Sequence, residues 1–192
     1  MTDLSSTAEE ILRQTRPLIL SGGYDGFSYA DISSIVGIRK ASIHHHFPTK
    51  AQLVRVLVER YRREAAAGLE HMDKAIADPA EKLRAYTGYW QSCITSGSEP
   101  FCVCALLASQ MPALPEEVAT EVRAHFRALA AWVTSVFRDG LERGSLHMAH
   151  EPEIEAEVFV ATVHGAMLSS RAHGNAAVFE TIVRPLVERF IK

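Results

Sequence analysis

The chain has 192 residues, of which 47% are hydrophobic and 22% charged, and its net charge is −3. This length supports a real apolar core, and the apolar fraction with low net charge excludes an intrinsically disordered chain. No apolar run approaches the roughly 18 residues that a membrane helix needs, so we expect no membrane partner. The three cysteines form no even disulfide framework, which predicts a reducing, cytoplasmic location.

Helical periodicity dominates the whole chain, and no stretch alternates apolar and polar residues for long enough to indicate a sheet. The sequence therefore predicts an all-α fold. In chain order, helices are expected over about 7–21, 28–36 and 39–47, from Thr49 past Tyr61, then over 79–95, 101–110, 115–143, 152–173 and 176–191. Short helices come first and long helices later.

Capping patterns mark four of these helix starts, because Ser, Thr and Asp side chains accept hydrogen bonds from the first free backbone N–H groups. The patterns are Ser6 with Glu9, Ser28 with Asp31, Thr49 with Gln52, and Asp78 followed by Pro79 and Glu81.

A helix-turn-helix is indicated where Gly37 separates two short helices. Arg39 and Lys40 fall in the first turn of the second helix, the part that normally meets base edges. Ile43 and Phe47, four residues apart, are expected to anchor the opposite face. Between residues 39 and 63 the chain has seven Lys or Arg against one acidic residue, a local charge of +6. This distribution favours contact with nucleic acid.

The residues that carry a family resemblance span about 6–57. They are Gly23-Tyr24-x-Gly26-Phe27-Ser28, Asp31-Ile32-x-x-x-Val36-Gly37-Ile38, Ala41-Ser42-Ile43-x-x-His46-Phe47-Pro48 and Lys50-x-x-Leu53. This pattern resembles the DNA-binding domain of the tetracycline-repressor family of bacterial regulators. The resemblance implies a three-helix DNA-binding domain over residues 1–50 and a helical ligand-binding and dimerisation domain over 51–192.

The DNA-facing set combines residues of the recognition helix with positions implied by the resemblance: Ser28, Tyr29, Arg39, Lys40, Ala41, Ser42, His44, His45 and Lys50. His44 stands where the family usually has a Tyr that touches a phosphate. This difference implies a weaker or pH-dependent contact.

The function implied is that of a ligand-responsive transcription regulator, most simply a repressor that a small-molecule effector releases from a near-palindromic operator. We expect a homodimer formed through the last two helices, because apolar pairs recur every four residues in the last one. Val183 and Leu186 are expected to lie at that interface.

Ligand-binding candidates in the carboxy-terminal part are Trp90, Phe101, Cys102, Phe126, His164 and Met167. Cys102 would fall in the first turns of a helix if Ser98 opens that helix, and the helix dipole would then favour its thiolate. The segment Cys102-x-x-x-x-Leu107-Ala108-x-Gln110 is similar to a subgroup of the family that includes sensors of small electrophiles and unsaturated carboxylates. The alternative is that Cys102 is a small buried apolar residue.

The alternatives to this interpretation are a metal site, a cysteine-dependent enzyme and a helical interaction protein. Residues 44–46 are three consecutive histidines, but they point about 100° apart on a helix and cannot readily share one metal ion. An enzyme with a nucleophilic cysteine lacks a partner residue at recognisable spacing. A helical interaction protein without DNA binding is the third possibility. We therefore predict no catalytic residue, cofactor or metal site.

Overall fold

The computed structural model describes residues 5–98 and 100–191, and 78% of it is helical. The helices are α1 (Ser6–Gly22), α2 (Tyr29–Val36), α3 (Lys40–His46), α4 (Lys50–Ala75), α5 (Pro79–Ser96), α6 (Val103–Ala108), α7 (Glu116–Glu142), α8 (Pro152–His173) and α9 (Ala177–Glu188). The described residues form no strand, and the predicted all-α fold is confirmed. Among them, no helix is long and apolar enough to cross a membrane.

Three of the four predicted helix starts are confirmed by side-chain hydrogen bonds. Ser28 and Asp31 form a reciprocal capping box, Thr49 Oγ1 accepts from Gln52 N–H at 3.0 Å, and Asp78 accepts from Ala80 and Glu81. The fourth prediction is wrong by one residue. The capping side chain of α1 is that of Ser5, which accepts from Ala8 N–H at 3.2 Å, because Ser6 is already helical.

The chain divides into two compact units that are each built from two stretches of sequence. The first comprises residues up to 63 together with 103–125, and the second comprises 64–102 and 126 onward. The predicted domain boundary after residue 50 falls where α4 begins. Helix α4 continues without a break to Ala75, and its first part, up to residue 63, belongs to the first unit. The first unit therefore extends beyond the predicted boundary.

The first unit is organised around α1, which packs against α2, α3 and α6. Its core includes the fully buried Ile11, Ile19, Ile32 and Ile43. Gly37 ends α2 with φ +73°, a left-handed conformation that glycine adopts without steric cost. The chain can therefore turn at once from α2 towards α3.

The second unit has an aromatic core to which α7, α8 and α9 contribute. The ring of Phe137 lies 5.9 Å from that of Phe159 and 4.7 Å from that of Phe190. These three side chains are at most 2% exposed. Helix α9 packs against both α8 and α5, so its apolar side chains are needed inside the unit.

The structure buries the expected interface residues of α9 inside the single chain and does not leave them on its surface. Val183 and Leu186 are 4% and 6% exposed within the single chain, so they belong to its core. The large exposed apolar residues of this region lie instead on α8, where Ile154, Val158 and Leu168 are 53%, 39% and 59% exposed. The wide apolar stripe of α9 is therefore used mainly for packing against α5 and α8 within the same chain.

Candidate nucleic-acid interface

Helix α3 is held by its apolar face. Ile43 and Phe47 are 0% and 2% exposed, as the sequence predicted. The turn before the helix is closed by two local bonds, from Gly37 N–H to the Ser33 carbonyl and from Ser33 Oγ to the Ile38 carbonyl. Together, the buried face and the closed turn restrain the orientation of α3 and so of its outer face.

The outer face of α3 brings together most of the predicted DNA-contacting residues. Lys40 with His44, and Ala41 with His45, are neighbours one helical turn apart, and all four are exposed. Arg39, directly before the helix, is also exposed. Ser42 is half-buried. A short helix with cationic residues at its amino end and polar residues along one face suits contact with a major groove.

His44 is oriented by two contacts at the carboxyl end of α3. Its Nδ1 lies 3.2 Å from the Pro48 carbonyl, to which an Nδ1–H donates, and its ring lies 4.7 Å from that of Tyr29. With Nδ1–H engaged in this way, Nε2 is the remaining ring nitrogen, and it can donate to a phosphate only when both ring nitrogens carry a proton. A histidine thus takes the place of the tyrosine that the family pattern has here.

Tyr29 supports α3 from α2. Its hydroxyl donates to the Phe47 carbonyl at 2.7 Å, and the side chain is half-buried. Burial, and to a lesser extent the neighbouring Tyr24, raises the pKa of Tyr29 to about 12. The hydroxyl therefore keeps its proton at neutral pH, and that proton is used inside the unit. DNA contact by Tyr29 stays a prediction.

Lys50 is engaged within the first unit as well. Its ammonium group donates to the Phe27 carbonyl and lies 4.3 Å and 5.0 Å from the ring centroids of Phe27 and Tyr24. Burial lowers the pKa of Lys50, while Asp25 and Asp31 oppose that change. This lysine ties the start of α4 to the loop before α2, and its phosphate contact stays a prediction.

Ser28 is exposed, and its polar atoms are used in the capping box. Its backbone N–H and its hydroxyl both donate to Asp31 Oδ2 at 2.7 Å. These hydrogen bonds, with that of the side chain largest, lower the pKa of Asp31.

Fewer basic side chains are available for contact with DNA than the local charge of +6 suggests. Four of the seven basic residues form ion pairs: Arg55 and Arg63 with Glu59, Arg60 with Glu9, and Arg62 with Glu121. Glu9 and Glu121 lie outside the 39–63 window, so a count along the chain cannot register them. In the part of the chain that the structure describes, Arg39 and Lys40 form no ion pair.

The predicted ligand-binding residues all lie in the second unit. Trp90, Phe101, Cys102 and Met167 are buried, whereas Phe126 and His164 are half-buried with ring centroids 5.1 Å apart.

The predicted helical setting of Cys102 is wrong. Helix α5 ends at Ser96, and its C-cap Gly97 has φ +70°. Helix α6 begins only at Val103, so Ser98 does not open the helix next to Cys102. Helix α6 has six residues, and Cys102 precedes it. The thiol is 0% exposed. Cys102 therefore lies directly before a six-residue helix and not within the first turns of a helix opened by Ser98.

Comparison with known proteins identifies the family. The model described as bacterial regulatory proteins, tetR family, matches residues 11–57, and the model described as tetracyclin repressor-like, C-terminal domain, matches residues 79–186. The chain belongs to the tetracycline-repressor family. It is a ligand-responsive, DNA-binding transcriptional regulator.

Individual relatives agree with this assignment over nearly the whole chain. A TetR family transcriptional regulator from Agrobacterium tumefaciens is 57% identical, with 97% of this chain and 98% of that chain covered and a TM-score of 0.96. The reduced form of NemR from E. coli is 19% identical over 97% and 98%, with a TM-score of 0.86, which shows the fold alone. The HTH-type transcriptional repressor DhaR from Mycobacterium sp. strain GP1 is 21% identical, covering 95% and 91%.

Proposed function

We propose that this protein is a homodimeric repressor that binds a near-palindromic operator and is released by a small-molecule effector. The observation that carries the proposal is the exposed amino end of α3, with Arg39 and Lys40 outward and Ile43 and Phe47 buried behind them. The curated relative named as a transcriptional repressor supports repression as the sign of regulation. We expect the protein to act in the cytoplasm, where its DNA is.

In this proposal α3 enters the major groove of a half-site. Arg39, Lys40 and His45 approach base edges or phosphates, and His44, with both ring nitrogens protonated, donates from Nε2–H to a phosphate. Ser28, Tyr29, Ala41, Ser42 and Lys50 complete the set. Such phosphate contacts make affinity fall with salt concentration.

The dimer is proposed to form through α8 and α9. Ile154, Val158 and Leu168 place an exposed apolar stripe along α8, and Val178 and Ile182 of α9 are half-buried. A twofold pairing would bury this stripe against its copy, since a C2 interface uses the same surface on both subunits. Two recognition helices then read two half-sites of a near-palindrome.

The effector is proposed to bind in the second unit against Trp90, Phe101, Cys102, Phe126, His164 and Met167. Cys102 either forms a covalent bond with the effector or only lines its site. Mapping of adducts after treatment with a small electrophile, with Cys102→Ser for comparison, separates the two. Effector binding alters DNA affinity through a coupling free energy that is commonly about 1–3 kcal/mol.

Operator binding is tested by fluorescence anisotropy on labelled DNA from upstream of the protein's own coding region. We expect saturable binding that exceeds binding to scrambled DNA by about 10³-fold or more and weakens with salt. Equal binding to both DNAs at physiological salt would contradict the proposal. An interaction protein without DNA binding gives that result, and a cysteine-dependent enzyme would show turnover of a thiol-reactive substrate.

A further inference from the structure

His44 lies on the outer face of α3, and one of its two ring nitrogens is already used inside the protein. The side chain is exposed, and its Nδ1 lies 3.2 Å from the carbonyl oxygen of Pro48. A carbonyl oxygen only accepts hydrogen bonds, so the contact requires a proton on Nδ1. The other neutral tautomer would set two lone pairs against each other. In neutral His44, Nε2 is therefore an acceptor that faces outward.

A second proton changes what this outward nitrogen can do. A phosphate oxygen is negatively charged and only accepts hydrogen bonds, so the lone pair of a neutral Nε2 repels it. The imidazolium form keeps Nδ1–H on the Pro48 carbonyl and adds a charged donor at Nε2. Hydrogen bonds from a cation to a phosphate are about twice as strong as those between neutral groups. His44 can therefore hold a phosphate in one protonation state only.

The ring of His44 is kept in this orientation by a neighbour that does not itself titrate near neutral pH. The ring of Tyr29 lies 4.7 Å away, and the Tyr29 hydroxyl donates to the Phe47 carbonyl at 2.7 Å. Burial raises the pKa of Tyr29 to about 12. Two consecutive carbonyls after α3, those of Phe47 and Pro48, thus hold Tyr29 and His44 side by side. Only the histidine of this pair changes charge near neutral pH.

The carboxylates of the helices that pack against α3 are engaged with other groups. These helices are α1 and α2. On α2 the acidic residue is Asp31, whose carboxylate accepts from the backbone N–H and the hydroxyl of Ser28. In the described part of the chain, His44 forms no ion pair with a carboxylate. The acidic residues of α1 form ion pairs of their own, Glu9 with Arg60 and Glu10 with Arg13.

Most of the other charged or titratable groups around α3 are basic. Asp25, in the loop between α1 and α2, acts on Lys50, whose pKa it raises against the effect of burial. An imidazolium at position 44 therefore gains its counter-charge from DNA and not from these elements. The remaining groups are Arg16 on α1, Tyr24 in the loop, Arg39, Lys40, His45 and His46 in and before α3, and Lys50 at the start of α4.

We propose that His44 makes DNA affinity depend on pH, because it donates from Nε2–H to a phosphate when doubly protonated and loses that contact when neutral. The inference rests on the proposed function, which supplies DNA as the partner. A histidine side chain in water titrates at about pH 6.5. Since the complex favours the protonated form, DNA binding takes up protons. Affinity is then highest in mild acid and falls as pH rises through neutrality, so acidification tightens repression and alkalinisation loosens it.

Anisotropy titrations with the upstream DNA, at constant ionic strength and from about pH 5.5 to 8.5, measure this dependence. One charge-assisted hydrogen bond accounts for about tenfold in affinity, and two subunits for up to about a hundredfold. We therefore expect affinity to fall by at least about tenfold across this range. An affinity that is constant or rises with pH overturns the proposal.

Matched variants assign the pH dependence to one histidine. His44→Gln has no titrating group at this position and should remove most of the dependence. His45→Gln changes the next exposed histidine on α3 and should retain it. Lys40→Ala should weaken binding at every pH without changing the shape of the curve. A pH dependence that survives His44→Gln, or that disappears in His45→Gln, contradicts the assignment to His44.

A second measurement does not depend on how the variants fold. Calorimetric titrations of the parent protein with DNA, in two buffers that differ in heat of ionisation, count the protons exchanged on binding. Near pH 7 we expect an uptake of up to about one proton per subunit. No exchange, or a release of protons, overturns the proposal.

Scrambled DNA separates this inference from the proposed repressor function, because phosphate contacts carry no sequence information. At low salt, binding to a scrambled duplex should show the same dependence on pH and on His44. If both DNAs bind equally at physiological salt but His44→Gln removes the pH dependence, the inference stands and the proposed repressor falls. If the upstream DNA is preferred but its binding does not respond to pH through His44, the regulator stands and this inference is wrong.

Discussion

Gln110 Oε1 accepts a hydrogen bond of 2.8 Å from the backbone N–H of Tyr24, which lies 86 residues earlier in the chain. Gly23 makes this approach possible. A Cβ atom at Gly23, where φ is +71°, would lie 2.4 Å from Gln110 Oε1. The segment that follows α6 is thereby tied to the end of α1, within the first unit.

Replacing Gln110 by Ala leaves the partly buried Tyr24 N–H without its acceptor. We expect a loss of about 1 kcal/mol in folding free energy. In a thermal melt this corresponds to a fall of about 2–4 °C in Tm for a chain of this size. Gln110→Glu keeps an acceptor and should lose less. A Tm for Gln110→Ala equal to that of the parent chain would show that the bond contributes nothing.

Lys40→Ala should weaken operator binding by about 1–3 kcal/mol if Lys40 contacts a base. The reason is its exposed position in the first turn of α3. Lys74→Ala is the control, because Lys74 is also exposed but pairs with Glu70 near the end of α4. Anisotropy titrations at physiological salt measure both. Equal affinity for the Lys40 variant and the parent removes Lys40 from the contact set.

Leu168→Glu should convert the proposed dimer into monomers, because pairing would bury an uncompensated charge on each subunit. Leu141→Glu makes the same change at an exposed leucine outside α8 and α9, and it should remain dimeric. Sedimentation velocity distinguishes the states. An intact Leu168→Glu dimer, or dissociation of the Leu141 variant, would place the interface elsewhere.

The capping box at the start of α2 makes stability depend on pH. Hydrogen bonds from Ser28 lower the pKa of Asp31 in the folded state, so their stabilisation is complete above the ordinary value of about 3.9 and is lost as pH falls through the lower folded value. The Tm advantage of the parent chain over Asp31→Asn should therefore shrink below about pH 4. In a Ser28→Ala background the advantage should be smaller, because the hydroxyl donor is lost while the backbone N–H of residue 28 still donates to Asp31. A difference that is constant with pH speaks against the capping box as its source.

Arg189→Ala should destabilise the second unit by about 1–3 kcal/mol, because it leaves a buried carboxylate without its charged partner. Arg189 Nη2 lies 2.8 Å from Glu155 Oε2, and the Glu155 side chain is 5% exposed. Glu155→Gln in the same chain should recover part of the loss. Arg138→Ala, which breaks the exposed pair with Glu153, is the control and should change little. Equal losses for the two arginine variants would contradict this account.

Local signals in the sequence account for the elements of the fold. The spacing of Ile43 and Phe47 predicts which face of α3 is buried, and Gly37 marks the turn before it, because both features act over one or two helical turns. The capping residues Ser28 and Asp78 are local for the same reason. The family pattern, spread over about fifty residues, carries the class of function.

Interaction partners that are distant in the sequence cannot be predicted from such local signals. Glu9 and Glu121 neutralise Arg60 and Arg62 from outside the basic window, and no count of charges along the chain predicts that. The Phe27 carbonyl is the partner of Lys50. A lysine that donates to a backbone carbonyl has the same sequence signature as one that faces DNA.

Periodicity alone indicates that a helix face is apolar, because burial in any partner produces the same spacing. It does not show whether Val183 and Leu186 pack within the chain or against a second copy, and the tertiary packing of α9 on α5 and α8 places them inside. Likewise, Trp90 and Trp132 are equivalent in the sequence. Only the positions of the surrounding helices give one indole a carboxylate partner and leave the other buried without one.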